Sequence, residues 1–505
     1  MIDLTGTGLT ADAVVAVARH DEPVRLASSA RGEMETSAAL VDAHARSDEP
    51  VYGVSTGFGS LANTVIPPER REELQRALIR SHAAGMGPPV EREVVRAMML
   101  LRARTLAMAY SGARPLLVDT LLELLNRGLT PIVPEHGSLG ASGDLAPLAH
   151  VALVLIGEGE VVDRDGHIVE AARAGFEPVT LLAKEGLALV NGTDGILGML
   201  LLALHDLDDL LRVADIACAM TVEALLGTDR AFADDLQQLR PQPGQRASAA
   251  NLRALLGGSA IVMSHRVGDL RVQDAYSLRC APQVHGAARD TVDHARRVAG
   301  AELVSAIDNP MVLPDGRIES CGNFHGAPLG FACDFLAIAA AEVGAIAERR
   351  VDRLLDATRS QGLPPFLAPD AGVNSGMMIG QYTMAAMVAE NRRLAAPASV
   401  DSLPTSAMQE DHVSMAWGAA RKLRRVLANV ARILAVELTC AARGLDLRAP
   451  LAPAAGTGAA LAALRARVDG PGSDRRLAPE LAAVEAMVVD GTVLRAVEGV
   501  VGTLS

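Results

Sequence analysis

Aromatic residues are scarce in this 505-residue chain: one Trp, four Tyr and seven Phe make up 2% of it. A strand-rich fold would draw on more of them, whereas abundant Ala and Leu favour helices. Cysteine is sparse too. Cys218, Cys280, Cys321, Cys333 and Cys440 are odd in number, widely spaced and without a C-x-x-C pair, which supports neither a disulfide framework nor a zinc site. The expectation is five reduced cysteines in a cytoplasmic protein, with no metal. Excess positive charge is absent as well: 47 Lys and Arg stand against 60 Asp and Glu, for a net charge of −13. That balance, with no run of five like charges, argues against nucleic acid as the partner and for a small-molecule substrate. The nearest approach to a membrane-length apolar run, 329–347, carries Asp334 and Glu342, so no span is expected. The N-terminus, Met1-Ile2-Asp3-Leu4, lacks the basic start and apolar middle of a secretory signal.

Half of the residues are apolar, enough for a sizeable core. Helical periodicity is the dominant pattern. After Pro67-Pro68, a helix is predicted through Met86, with Leu74, Ala77, Leu78, Ser81 and His82 at i, i+3, i+4, i+7 and i+8 as its buried stripe. Residues 92–110 and 115–128 read as further helices, followed by a breaker-rich loop over 131–147. From about residue 196 the patterns lengthen, with candidates at 194–226, 328–358, 375–395 and 408–444. Rods of that length suit a bundle of long helices, often packed against other subunits. Ser406-Ala407-Met408-Gln409 has the form of a capping box, which would begin the last rod there and put Glu410 in its first turn. The expected organisation is an N-terminal domain over 1–195, a central bundle over 196–448 and a peripheral helical segment over 449–505.

The densest chemistry lies in Gly137-Ser138-Leu139-Gly140-Ala141-Ser142-Gly143-Asp144-Leu145-Ala146-Pro147-Leu148. A phosphate loop would need a Lys-Ser/Thr ending that is missing. A hydrolase elbow around Ser142 would need Gly where Asp144 stands. A plain glycine turn feeding a helix at Asp144 remains open on local grounds.

This segment resembles the signature of the aromatic amino-acid ammonia-lyases, and the likeness runs through nearly the whole chain. Tyr52-Gly53-Val54-Ser55-Thr56-Gly57-Phe58-Gly59, Ser81-His82-Ala83-Ala84-Gly85, Glu185 to Thr193, Gln273 to Cys280, Gly322-Asn323-Phe324-His325 and Gln409-Glu410-Asp411-His412 recur in the family's order. The resemblance implies a mainly α fold of the ammonia-lyase/fumarase-like class, a long-helix bundle with an N-terminal prosthetic-group domain, assembled as a homotetramer with shared active sites. It also implies that Ala141, Ser142 and Gly143 cyclise and dehydrate to 4-methylideneimidazol-5-one, with no diffusible cofactor. Attack of the Gly143 nitrogen on the Ala141 carbonyl needs a backbone tighter than a Cβ permits, and small residues flanking Ser142 allow it.

Elimination of ammonia requires removal of a weakly acidic β-proton and expulsion of a poor leaving group. An electrophile on the amino group and a base at the β-carbon answer both needs. The resemblance implies Tyr52 as that base, although a phenol of pKa about 10 must be helped to ionise. Tyr276 belongs to a matched motif and joins Tyr52 as a catalytic candidate. Arg279, one helical turn on and sharing a face with Gln273, offers a fork matched to the substrate carboxylate. Asn191 would donate to the same carboxylate or to the prosthetic group, and Phe324 would pack on its ring. His82 and Glu410 together suit a desolvated imidazole, so L-histidine is the expected substrate and trans-urocanate the product. A tyrosine or phenylalanine ammonia-lyase, an aromatic 2,3-aminomutase, a Ser142 hydrolase and an inactive helical scaffold are the competing readings. Asp194, His285 and Gly326-Ala327 depart from the family's usual residues, the first with a possible effect on charge near Asn191.

Overall fold

A computed structural model of the chain describes residues 1–47 and 50–505, and helices dominate it. Four of them are long: Asp194–Ala224, Ala281–Leu303, Ala327–Leu355 and Ala416–Asp446, of 31, 23, 29 and 31 residues. At a rise of 1.5 Å per residue the longest extend about 46 Å. The 194–226 and 328–358 patterns correspond to the first and third of these, and 375–395 to Met378–Leu394. The helix Ala281–Leu303 escapes a periodicity reading because Arg, Asp and His dilute its apolar positions. Strands are short and gather in small sheets, such as the three-stranded Thr130–Pro131, Glu160–Val162 and Ile168–Glu170.

Two expectations need correction. The last rod begins at Ala416, not at residue 408. Ser406–Met408 forms a single 3-10 turn whose three residues all take positive φ, and Glu410 bridges back to Thr405 in extended pairing. The capping box fails because three successive residues with left-handed φ cannot start a helix; the Ser406 hydroxyl accepts the Ser60 N–H, and the Gln409 N–H falls on the Ser406 carbonyl. The earlier helix likewise stops at His82, and Met86–Pro89 runs on as a strand paired with Pro134–His136.

Of the described helices, Ala327–Leu355 is long and apolar enough to cross a membrane, but 61% of its most apolar window is buried inside the protein. Burial by protein accounts for its composition without lipid. All five cysteines are free, three of them buried.

The chain divides into two compact units, each assembled from separate stretches. The first comprises Met1–Leu202, Ala295–Asp334 and Pro397–Arg421. Its interior holds two fully buried ion pairs, Arg102 with Asp194 at 2.5 Å and Lys184 with Asp308 at 2.8 Å. Asp194, expected to alter charge beside Asn191, is thus neutralised by Arg102 and also accepts from Thr105.

The second unit comprises Ala203–His294, Phe335–Ala396 and Lys422–Ser505. At its centre Asp215 accepts hydrogen bonds from Ser248, Asn251, Arg289 and His285 Nδ1. Burial works to raise the Asp215 carboxyl, but Arg289 and His285 hold it down to about 2. Burial lowers His285 below its ordinary 6.5. Both groups therefore lose stabilising power in acid: the unfolded chain binds protons more readily than the folded one, first below pH 6.5 at His285 and then from about 3.8 to about 2 at Asp215. Thermal melting of the unaltered protein and of His285→Asn, compared at each pH, isolates the His285 contribution from those of His82, His150 and Asp144: the difference between the two melting temperatures should change as pH drops below 6.5, and a difference that stays constant with pH would contradict the assignment.

Candidate active site

The tripeptide Ala141-Ser142-Gly143 lies in the first unit, in the loop before the helix Leu145–Leu155. Gly143 has φ +74°, and a Cβ on it would collide with the backbone of Gly192. The two glycines pair as a parallel bridge, with Asp144 N–H donating to the Gly192 carbonyl at 2.7 Å. Gly192 is tight on its other side, where the Arg102 guanidinium fills the space a side chain would take. Asp144 anchors the loop from below, its carboxylate accepting the N–H groups of Gly195 and Ile196 at 2.9 and 3.0 Å in the first turn of Asp194–Ala224. Burial raises this carboxyl to about 7, opposed by those donors and by Ser138.

Ring closure consumes the Gly143 amide hydrogen and the Ala141 carbonyl oxygen, and dehydration removes the Ser142 hydroxyl. None of the three is engaged in a hydrogen bond among the described residues, while their flanks are pinned on both sides. The loop thus has the features that the cyclised group demands.

Ser142 lines a cavity of about 460 Å³ in this unit. Tyr52, His82, Asn191 and Glu410 line it as well. The stripe Leu74, Ala77, Leu78, Ser81 and His82 also belongs to this wall, so most of what reads as a core-facing stripe faces the cavity. The same helix turns Gln75, Leu78 and Ile79 to the interior.

The Tyr52 phenol oxygen accepts the Gly59 N–H at 3.2 Å, and its ring meets Phe58 edge-on at 6.5 Å. Burial raises the phenol's pKa, the Gly59 donor lowers it, and the charges of Glu410 and Asp308 raise it further. His82 is the last residue of its helix, with Nδ1 3.1 Å from the Ser81 hydroxyl, and burial lowers its pKa, favouring the neutral ring. Thr405 donates its hydroxyl to Glu410 Oε2 at 2.6 Å, which leaves Oε1 without a partner among the described residues.

Asn191 closes the short helix Glu185–Val190 and is 2% exposed. Its Nδ2 donates to Asp308 Oδ1 at 3.2 Å and to the Asn309 carbonyl at 2.8 Å, and its Oδ1 has no partner. An orphaned buried polar atom costs about 1–3 kcal/mol, and because Asn191 lines the cavity its Oδ1 is an acceptor open to a bound group. The reading of Asn191 as a donor therefore does not fit: both donor hydrogens are spent inside the protein.

The remaining candidates are not among the residues that line this cavity. Phe324 is half-buried and does not line the cavity. Gln273, Tyr276 and Arg279 belong to the second unit. Tyr276 is 71% exposed, with the Arg279 guanidinium 4.6 Å above its ring. The helix here is only Tyr276–Arg279, so Gln273 precedes it and shares no helical face with the pair. No Arg or Lys lines the described cavity. Sequence reasoning missed Lys184, Asp308 and Thr405. Lys184 precedes a quoted motif, but nothing local announces its pairing with a carboxylate 124 residues away.

Residues 9–466 match the Aromatic amino acid lyase family, and the chain belongs to that family. It is 58% identical over 504 residues to a histidine ammonia-lyase from Streptomyces avermitilis, covering 99% of this chain and 98% of that one. Among solved structures, it is similar to a tyrosine aminomutase from Streptomyces globisporus, at TM-score 0.92 and 39% identity over 99% and 98% of the two chains. It is also similar to histidine ammonia-lyase from Trypanosoma cruzi, at TM-score 0.90 and 38% identity over 99% and 95%. The protein is accordingly a mainly α carbon–nitrogen lyase.

The Gly143–Gly192 contact generates a direct test. In Gly192→Ala the new methyl group meets the Arg102 guanidinium and should push the segment off the tripeptide. The intact mass of the unaltered protein should fall two water molecules below its sequence mass, and that of the variant should equal its sequence mass. Full mass loss in the variant would show that the close approach is not needed.

Proposed function

We propose that the protein eliminates ammonia from L-histidine to give trans-urocanate. The observation that carries this reading is the meeting of His82 and Glu410 with Tyr52 and Ser142 in one cavity. An imidazole leaving water needs a partner at each nitrogen. Neutral His82 and the free Oε1 of Glu410 supply one each. The Streptomyces and Trypanosoma relatives named as histidine ammonia-lyases support the same substrate.

Ala141, Ser142 and Gly143 would form 4-methylideneimidazol-5-one, which supplies an electrophile toward the substrate amine. Tyr52 takes the β-proton at its phenol oxygen, where the Gly59 N–H steadies the phenolate. His82 and Glu410 hold the ring so that the β-carbon faces that oxygen. The substrate carboxylate finds no cation in the cavity wall. We assign that role to Arg279 of a second copy, with Tyr276 and Gln273 beside it and Phe324 supporting the prosthetic ring. An apolar groove of about 720 Å³ in the second unit, lined by Val284, Ala287, Phe335 and Ile338, gives copies a surface on which to pack. The reading is of a cytoplasmic homotetramer, in keeping with five free cysteines.

Purified protein incubated separately with L-histidine, L-tyrosine and L-phenylalanine should release ammonia only from histidine, and Ser142→Ala should release none. Preference for another amino acid would overturn the substrate assignment, and recovery of a β-amino acid would favour a mutase instead. Tyr52→Phe should lower kcat by about 10²–10⁴-fold with little change in KM. Glu410→Gln should raise KM for histidine. Because the Glu410 charge raises the Tyr52 pKa, the same variant should move the acid limb of kcat/KM to lower pH. A limb that stays in place would separate Glu410 from the base.

A further inference from the structure

Asn191 offers the cavity an acceptor and nothing else. A side-chain amide carries two N–H hydrogens and one oxygen, and the assignment of oxygen and nitrogen follows from the partners. Here the partners decide it. Asp308 Oδ1 and the Asn309 carbonyl can only accept, so Nδ2 must face both, at 3.2 and 2.8 Å. Reversing the amide would set three acceptor oxygens against one another in a buried site.

The orientation is locked from behind. Asp308 is fully buried and pairs with Lys184, whose Nζ lies 2.8 Å from its Oδ2 and 2.9 Å from the Ser111 carbonyl. Asp308 Oδ1 also accepts the Asn309 N–H at 2.7 Å. Among the side-chain atoms of Asn191, Asp308 and Lys184, Asn191 Oδ1 is the one buried without a partner.

An α-amino acid brings one group that can only accept, its carboxylate, and one that can only donate, its ammonium. We infer that Asn191 Oδ1 receives an N–H of the substrate's ammonium group, and that Lys184 and Asp308 are positioning residues that hold the amide for it. The leaving amine is thereby placed at a fixed acceptor beside Ser142, and the carboxylate is directed away from Asn191. This inference rests on the histidine reading only for the choice of probes.

The test uses two fragments on the intact assembled protein. Histamine keeps the imidazole and ammonium of histidine and lacks the carboxylate; 3-(imidazol-4-yl)propanoate keeps the imidazole and carboxylate and lacks the ammonium. Binding of each is measured by titration calorimetry. Asn191→Ala should weaken histamine by about tenfold or more and leave the propanoate nearly unchanged, since a hydrogen bond to a charged group is lost for one probe only. Lys184→Met should repeat that selective loss, and Lys184→Arg should restore histamine binding. Selective loss of the propanoate would show that Asn191 donates to the carboxylate and would overturn the inference.

If Asn191→Ala does not fold, a crystal structure of the unaltered protein with histamine decides the matter. The amine within hydrogen-bond distance of Oδ1 supports the assignment, and the amine held elsewhere overturns it. If neither imidazole fragment binds the unaltered protein, the histidine reading fails on its own. Phenethylamine and 3-phenylpropanoate then put the same question to Asn191.

Discussion

The contact on which the rest of the site depends is backbone against backbone, Gly143 on Gly192. No side chain fits between them, because a Cβ on the first meets the Gly192 carbonyl and a Cβ on the second meets the Arg102 guanidinium. That guanidinium is held by Asp194, which opens the helix Asp194–Ala224, and the next two amides of that helix hold Asp144. Loop, helix start and buried ion pair are therefore one constraint. Its product is a tripeptide pinned at both flanks whose reacting atoms are left without partners. Such over-determination is how a fold sustains a backbone shape that costs energy locally.

The same unit builds the cavity with a marked polarity. Its wall presents the Glu410 carboxylate, Asn191 and a neutral His82, and no cation. Burial in such surroundings raises the Tyr52 phenol and the Asp144 carboxyl alike, so negative charge is disfavoured there until a donor or a positive group arrives. A substrate ammonium answers that need, and a substrate carboxylate does not. The division of labour assigned above, with the amine and imidazole held in the cavity and the carboxylate met by a second copy, follows from this imbalance.

Much of this was legible in the amino-acid sequence. The helical class follows from Ala and Leu in place of aromatics, and three of the longer helices from periodicity. The residues that meet in the cavity came from matched motifs rather than periodicity: Tyr52, Ser142, Asn191 and Glu410 lie far apart in the chain. Where local rules were applied alone, they misread the site. The Leu74 to His82 stripe looks like core because a cavity wall and a core face share one period. Ser406 looks like a helix cap because its engagement by Ser60 is set by residues about 346 positions away. Asn191 looks like a donor until Asp308 and Lys184 are brought to it by the fold. Long-range pairing of buried charges leaves no local trace, and it decides which atoms of the site remain free.

The central claim is that this cavity holds an imidazole between His82 and Glu410 with the reacting carbons beneath Tyr52. A crystal structure with trans-urocanate bound tests it most directly. The account predicts one ring nitrogen within hydrogen-bond distance of His82 or Glu410 and the acrylate carbons between the Tyr52 oxygen and the position of Ser142. A product bound outside the cavity, or bound with its ring turned away from both residues, would contradict it.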